Sequence, residues 1–213
     1  ITEISIPETI TAIGADCFLN MSFLEKVVIH DGVTEISGGA FKGCSGLKEL
    51  AIPASIKMAA NSFKGCSNIE KITLTKGTGV MQDYTYKTTL YSETPWYISQ
   101  GSLKELIFED GIEYIGKGAF YYNRFFTELV LPESITSIGD SAFYGCTSIS
   151  TIAFPKALEE IGEYAFYGGE LMEQVSFSGT REEWKNIRIQ NNNDRITGVN
   201  VICSDGIACF AHS

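Results

Sequence analysis

The 213-residue chain is short of positive charge, of histidine and of long apolar runs. Its 16 Lys and Arg stand against 26 Asp and Glu, giving a net charge of −10. No basic stripe interrupts that balance, which argues against a nucleic-acid partner, because phosphate backbones are held by clustered cations. Acidity of this degree keeps a long chain soluble and attracts cations or basic partners. No apolar segment approaches the roughly 20 residues that span a bilayer, so no membrane insertion is expected. The histidines are His30 and His212, and neither accompanies a Ser or Cys nucleophile motif. Cys-x-x-Cys and Cys/His zinc spacings are absent, as are a Gly-x-Ser-x-Gly elbow and a phosphate loop. Carboxylates are plentiful, but many recur with the repeat, whereas an active site should break a repeat locally. The chain is therefore expected to have no enzymatic activity, no metal and no cofactor.

What is present is a period. Phe18, Phe41, Phe63, Phe120, Phe143 and Phe166 each follow a small residue. Their spacings are 23, 22, 57, 23 and 23 residues, the 57 being one 23-residue unit plus one of 34. A fixed period of this size marks a solenoid. The units are 1–23, 24–46, 47–68, a long irregular unit 69–102, then 103–125, 126–148 and 149–171. Each opens apolar-x-x-apolar-x-apolar, the alternation of a strand with one buried face. Pro7, Pro53, Pro132 and Pro155 end such strands, because proline cannot donate a ladder hydrogen bond. A second apolar pair follows, such as Ile135 and Ile138, usually with a glycine (Gly14, Gly116, Gly139, Gly162). That glycine suggests a backbone conformation which other residues reach only with strain. The phenylalanine then closes the unit, with its ring in a stacked inner spine. One unit cannot bury its apolar face alone, but stacked units share a core.

The pattern resembles the BspA-type, or treponemal, leucine-rich repeat family. One unit carries every step of the family signature: Leu129, Leu131 and Pro132, then Ile138-Gly139, Ala142-Phe143 and Cys146, with Phe126 where leucine is usual. The match covers 1–68 and 103–171 well and 69–102 loosely. It implies a right-handed leucine-rich-repeat superhelix, mostly β with short helical or irregular segments, parallel strands and a C-terminal cap. It also implies a secreted or surface protein, bacterial or of a parasitic protist, with adhesion and partner binding as the usual roles.

The organisation expected is 1–171 for the repeats and 172–213 for a last strand plus a cap. Thr180 and Glu183 form a capping-box pattern, and Trp184 and Ile187 mark the apolar stripe of a short helix. Asn191-Asn192-Asn193-Asp194 reads as a turn before a final strand, 199–203. The chain opens in mid-pattern at Ile1, as a mature fragment or trimmed segment would, so a signal peptide or anchor is expected elsewhere. Cys44, Cys66 and Cys146 share one repeat position and read as buried small packing. A Cys44–Cys66 disulfide is also geometrically conceivable, and Cys203 and Cys209 could close a small loop in an exported protein.

Binding candidates come from two places. In the long unit, Tyr84, Tyr86, Tyr91, Trp96 and Tyr97 either fill an enlarged coil or form a protruding aromatic loop that supplies anchors. On the strands, the third and fifth residues point outward and stack in ladders. One ladder runs Glu3, Lys26, Glu49, Lys71, Glu105, Glu128, Thr151, Gln174. The other runs Ser5, Val28, Ala51, Thr73, Ile107, Val130, Ala153, Ser176. Outward Val28, Ile107 and Val130 suit strand propensity, but Ile107 and Val130 beside Glu105 and Glu128 also suit an interface with a polar rim. The leading expectation is a non-enzymatic module that binds an extracellular protein, of a host or a cell surface. The alternatives are a glycan-binding module using the aromatics of the long unit, with Tyr91, Trp96 and Tyr97 as its platform, and a structural spacer.

Overall fold

The computed structural model describes residues 1–59, 61–84, 94–99 and 101–208. The described chain is a β-solenoid in which each regular coil supplies one longer and one two-residue strand. By compactness it forms two units, one of residues 1–82 with 90–112 and the other of 83–89 with 113–213.

In the first unit the longer strands are β1 (Glu3–Ile6), β3 (Lys26–Ile29), β5 (Glu49–Pro53), β7 (Lys71–Thr75) and β8 (Glu105–Phe108). They form one parallel sheet in the order β1-β3-β5-β7-β8. The short strands β2 (Ala12–Ile13), β4 (Glu35–Ile36) and β6 (Lys57–Met58) form a second sheet. A four-residue helix, α1 (Pro95–Ile98), follows β7 with Pro95 in its first turn. In the second unit, β10 (Glu128–Val130), β12 (Thr151–Phe154), β14 (Gln174–Phe177) and β16 (Val201–Cys203) are parallel, and β17 (Gly206–Ala208) closes the sheet antiparallel to β16. The short strands β9 (Tyr114–Ile115), β11 (Ser137–Ile138), β13 (Glu160–Ile161) and β15 (Arg188–Ile189) make its second sheet. The last helices are α2 (Arg181–Lys185) and α3 (Asp194–Thr197).

The phenylalanines stack as the period implies. Phe18, Phe41 and Phe63 lie 5.0 and 5.1 Å apart in nearly parallel planes, and Phe120, Phe143 and Phe166 repeat this at 5.2 Å. Four spine amides bond to the next coil: Phe18 N–H donates to Ala40 O, Phe41 to Ser62 O, Phe120 to Ala142 O and Phe143 to Ala165 O. Strand-opening Leu24, Leu47, Ile69 and Ile149 are buried with them.

The glycines after the second apolar pair need a different explanation from the one their recurrence suggested. Gly14, Gly116, Gly139 and Gly162 do not have positive φ. A Cβ on Gly139 would come within 2.7 Å of Lys117 N, and one on Gly162 within 2.5 Å of Asp140 N. Close approach of neighbouring coils, and not backbone handedness, selects glycine at Gly139 and Gly162, whereas a Cβ on Gly14 would meet Cys17 Sγ of its own coil at 3.2 Å. The left-handed residues flank the spine instead. Two residues before each phenylalanine stand Asp16, Gly39, Asn61, Gly118, Ser141 and Tyr164, all at positive φ. Two residues after it stand Asn20, Gly43, Gly65, Tyr122, Gly145 and Gly168, also at positive φ.

Cys44, Cys66 and Cys146 are free and buried. Each thiol donates to the carbonyl of the spine phenylalanine one coil back, Phe18, Phe41 and Phe120 respectively, at 3.1 Å. The neighbouring Cys44 thiol, and then burial, push the Cys66 thiol far above its ordinary range. Burial does the same at Cys146. Cys203 is free, while Cys209 lies outside the described residues.

The C-terminal end is closed by side chains. The capping box of α2 is complete: Thr180 Oγ1 accepts from Glu183 N, and the Glu183 carboxylate accepts from Thr180 N at 2.8 Å. That backbone bond, with help from Lys156, holds the Glu183 carboxyl below its usual range. Trp184 is buried against Phe154 and Phe177. Asn193 does more than turn the chain. Its Oδ1 accepts from Phe166 N at 3.0 Å, the role that a carbonyl of the next coil plays for Phe143. Its Nδ2 donates to Gly162 O at 2.9 Å and to Gln190 O at 2.8 Å. One amide thus satisfies the last spine amide where the repeat stops.

Asn193→Ala leaves these buried groups unpaired and is expected to cost about 1–3 kcal/mol, measured by urea denaturation. Alkylation of the native protein with iodoacetamide, mapped by mass spectrometry, is expected to label exposed Cys17 and to spare Cys44, Cys66 and Cys146 until the chain unfolds.

Candidate functional site

Within each sheet the outward ladders have the register read from the sequence, but they break between Glu105 and Glu128 because β8 and β10 belong to different sheets. In the first unit Glu3 pairs with Lys26, Lys26 with Glu49, Glu49 with Lys71 and Lys71 with Glu105. Ion pairs form at Lys26–Glu3 (3.3 Å) and Lys71–Glu105 (3.1 Å). A parallel set one residue earlier joins Glu25 to Lys48 at 3.3 Å and Glu70 to Lys104 at 2.7 Å. Lys104 holds the Glu70 carboxyl below its usual range. Such solvent-exposed pairs favour one stacking order more than they stabilise it.

The apolar candidates divide between the units. Val28 and Ile107 belong to the first sheet, where both are half-buried, with Glu105 exposed beside them. Val130 opens the second sheet and is 60% exposed, next to exposed Glu128. Ile107 and Val130 therefore lie on different sheets. In the second unit the ladder continues from Val130 through Ala153 and Ser176 to Ile202, which faces Ile207 across the terminal hairpin. Ile202 and Ile207 are about as exposed as Val130, at 47% and 54%. They escaped the repeat pattern because the last strand stands outside the 23-residue period. The expected final strand 199–203 is the signal that could have found Ile202, since strand side chains alternate between faces and Ile202 stands between Val201 and Cys203.

Beside Val130 the second sheet carries a shallow depression of about 170 Å³. Phe154, Pro155 and Phe177 give it an apolar floor, and Glu133 and Ser178 lie at its polar side. Ser178 Oγ donates to Glu133 at 3.2 Å and accepts from Lys156 N at 2.7 Å. An apolar strip beside a carboxylate suits capture of a side chain better than bond-breaking chemistry.

The long unit supplies no open aromatic platform among the described residues. Trp96, on α1, is 1% exposed, so its ring belongs to the core and is unavailable to a ligand. Tyr97 and Tyr84 are half-buried, and burial raises the Tyr84 phenol. Tyr86 and Tyr91 lie outside the described residues. Likewise, among the described residues no His, Cys, Asp and Glu group is placed to hold a metal ion, and no helix is long and apolar enough to cross a membrane.

The profile of the BspA type leucine rich repeat region matches residues 1–97 and 95–204 in six copies. The chain belongs to the BspA-type leucine-rich repeat family. Its fold is shared with a leucine-rich repeat protein of Bacteroides ovatus, at 25% identity and a TM-score of 0.52, over 96% of this chain and 56% of that one. The leucine-rich repeat protein of T. pallidum aligns at 23% identity and a TM-score of 0.50, over 71% of this chain and 67% of its own. A leucine-rich cell surface protein of Faecalibacterium prausnitzii aligns at 18% identity and a TM-score of 0.47, over 88% and 62%. This BspA-type chain thus spans 56% and 62% of the lengths of the Bacteroides and Faecalibacterium proteins. No curated protein matches it.

Because Val130 and Ile202 are solvated, Val130→Ser and Ile202→Ser are each expected to change stability by less than about 0.5 kcal/mol. Leu129→Ala, in the core of the same strand, is expected to cost about 2–5 kcal/mol. Thermal unfolding of the three variants checks the contrast.

Proposed function

We propose that the chain is a non-enzymatic binding module of a secreted or cell-surface protein, and that its ligand is an extracellular protein. The observation that carries this reading is the row of exposed apolar residues Val130, Ile202 and Ile207 on one sheet. Core packing does not require apolar residues at outward positions, whereas an interface centre does. Glu128 and Glu133 provide its polar rim, and the depression beside Val130 is a socket for a partner side chain. Val28, Glu105 and Ile107 hold the corresponding outward positions of the first sheet and form a secondary contact row. BspA-type membership supports a surface location, and the recurrence of carboxylates with the repeat supports a scaffold role.

The test is a screen of the purified chain against arrayed extracellular proteins and glycans, with the double variant Val130→Glu, Ile202→Glu beside it. A protein hit that weakens at least tenfold in the folded double variant is the expected result. Hits that persist in the variant, or hits confined to glycans, would refute the sheet-face reading. No hit in either would favour a spacer.

A further inference from the structure

The coils of the second unit place tyrosine where those of the first do not. The residue after the spine phenylalanine is Leu19, Lys42 and Lys64 in the first unit, but Tyr121, Tyr144 and Tyr167 in the second. These rings stack over one another, Tyr121 on Tyr144 at 4.8 Å and Tyr144 on Tyr167 at 5.1 Å, with planes within 21°. Tyr122 and Tyr164 stand steeply against the stack. Tyr122 meets Tyr144 at 5.6 Å and 73°, and Tyr164 meets Tyr167 at 5.6 Å and 67°. Tyr122, Tyr164 and Tyr167 are exposed at 43%, 37% and 47%. This surface is made by the turns beside the spine, not by the sheet that carries Val130.

Two of these side chains occupy costly positions. Tyr122 has φ 55° and Tyr164 φ 57°. Glycine, asparagine, aspartate or serine fills the equivalent site in every other regular coil. A bulky residue in the left-handed region is a real outlier, and such strain is kept where the side chain is needed. Packing alone does not explain the choice, because both residues keep more than a third of their surface exposed.

The charge around the rings selects the occupant. Exposed Glu163 and Glu170 flank Tyr164 and Tyr167, and neither forms an ion pair among the described residues. Lys117 is neutralised by Asp140 at 2.7 Å, which holds the Asp140 carboxyl below its usual range. Arg124, near Tyr122, already has a partner. Burial and then the neighbouring phenols raise the Tyr144 hydroxyl. Rigid tyrosines with carboxylates at the edge attract guanidinium and ammonium groups through ring faces and acceptor oxygens.

We propose that Tyr122, Tyr164 and Tyr167, with the ladder behind them, form a second docking surface that takes an arginine- or lysine-bearing segment of a protein partner. It is independent of the sheet face. The probes are labelled (Arg-Gly)4, (Lys-Gly)4 and (Gln-Gly)4 peptides and maltohexaose, titrated against the full chain at low and moderate salt. The variant is Tyr122→Asn with Tyr164→Asn, which introduces the residue used at the matching sites Asn20 and Asn61 and leaves net charge unchanged. A second variant, Glu163→Gln with Glu170→Gln, tests the carboxylates without touching the rings.

The basic peptides are expected to bind and the glutamine peptide not to. Affinity should fall at least tenfold in the tyrosine variant and severalfold in the glutamate variant. The tyrosine variant should unfold at the same or a higher temperature, since strain is released. Equal affinity of both variants and the parent would overturn the proposal by placing the peptide elsewhere on the chain. So would failure of the basic peptides to bind, or maltohexaose binding that disappears in the tyrosine variant.

Discussion

Each coil of this solenoid must satisfy two spacings at once. Parallel strands hydrogen-bond at about 4.8 Å, and stacked aromatic rings prefer a similar centroid separation when slightly offset. The spine rings lie 5.0–5.2 Å apart, so one coil step serves both the backbone and the core. Other features follow from that match. The phenylalanine amide must reach the next coil, so the chain enters and leaves the spine through left-handed residues. The glycine before the spine must let the neighbouring backbone approach. The cysteine after it must be small enough to reach back to the preceding phenylalanine carbonyl.

A constraint so local leaves the rest of the coil free, and there the two units diverge. Inward positions stay alike in both, while the residue after the spine changes from Leu19, Lys42 and Lys64 to tyrosine. Outward strand positions change in a similar way. In the first sheet they alternate in charge, with Lys26 and Lys71 bonded across coils. In the second, Glu128 is followed by Thr151 and Gln174, and apolar residues stand exposed at its ends. Specificity in a repeat protein can only be written where the repeat does not dictate the residue.

This explains what the sequence disclosed. The spine, the strand register and the α2 capping box were legible because each depends on recurring letters or on alternation. The left-handed positions were not, because Asp16, Gly39, Asn61, Gly118, Ser141 and Tyr164 share a backbone angle and no residue type. The glycine of Ile-Gly was visible but its cause was not, since only neighbouring coils show what a Cβ would strike. The two-residue strands are too short to show a period. Of the candidate site, Val130 was readable as outward, but exposure depends on what covers a position. Trp96 and Val130 were both binding candidates in the sequence, with packing the favoured reading for Trp96, and the fold buried one and left the other in solvent.

The ends of the solenoid follow from the same spacing. A stacked coil always leaves one layer of unpaired amides and one uncovered ring, so stopping the repeat requires a substitute for the next coil. Here the substitutes are separate in kind. Trp184 covers the apolar layer beside Phe154 and Phe177, and the Asn193 amide replaces the missing backbone carbonyl for Phe166. Neither residue could serve at the other's place, since indole offers no acceptor and the amide is too small to cover two rings. The terminal β-hairpin then completes the sheet but covers none of its outer face, which leaves Ile202 and Ile207 in solvent at the end of the Val130 row. The cap that ends folding is thus also the element that extends the apolar surface, and for that reason the strand outside the repeat carries more of the candidate interface than any coil within it.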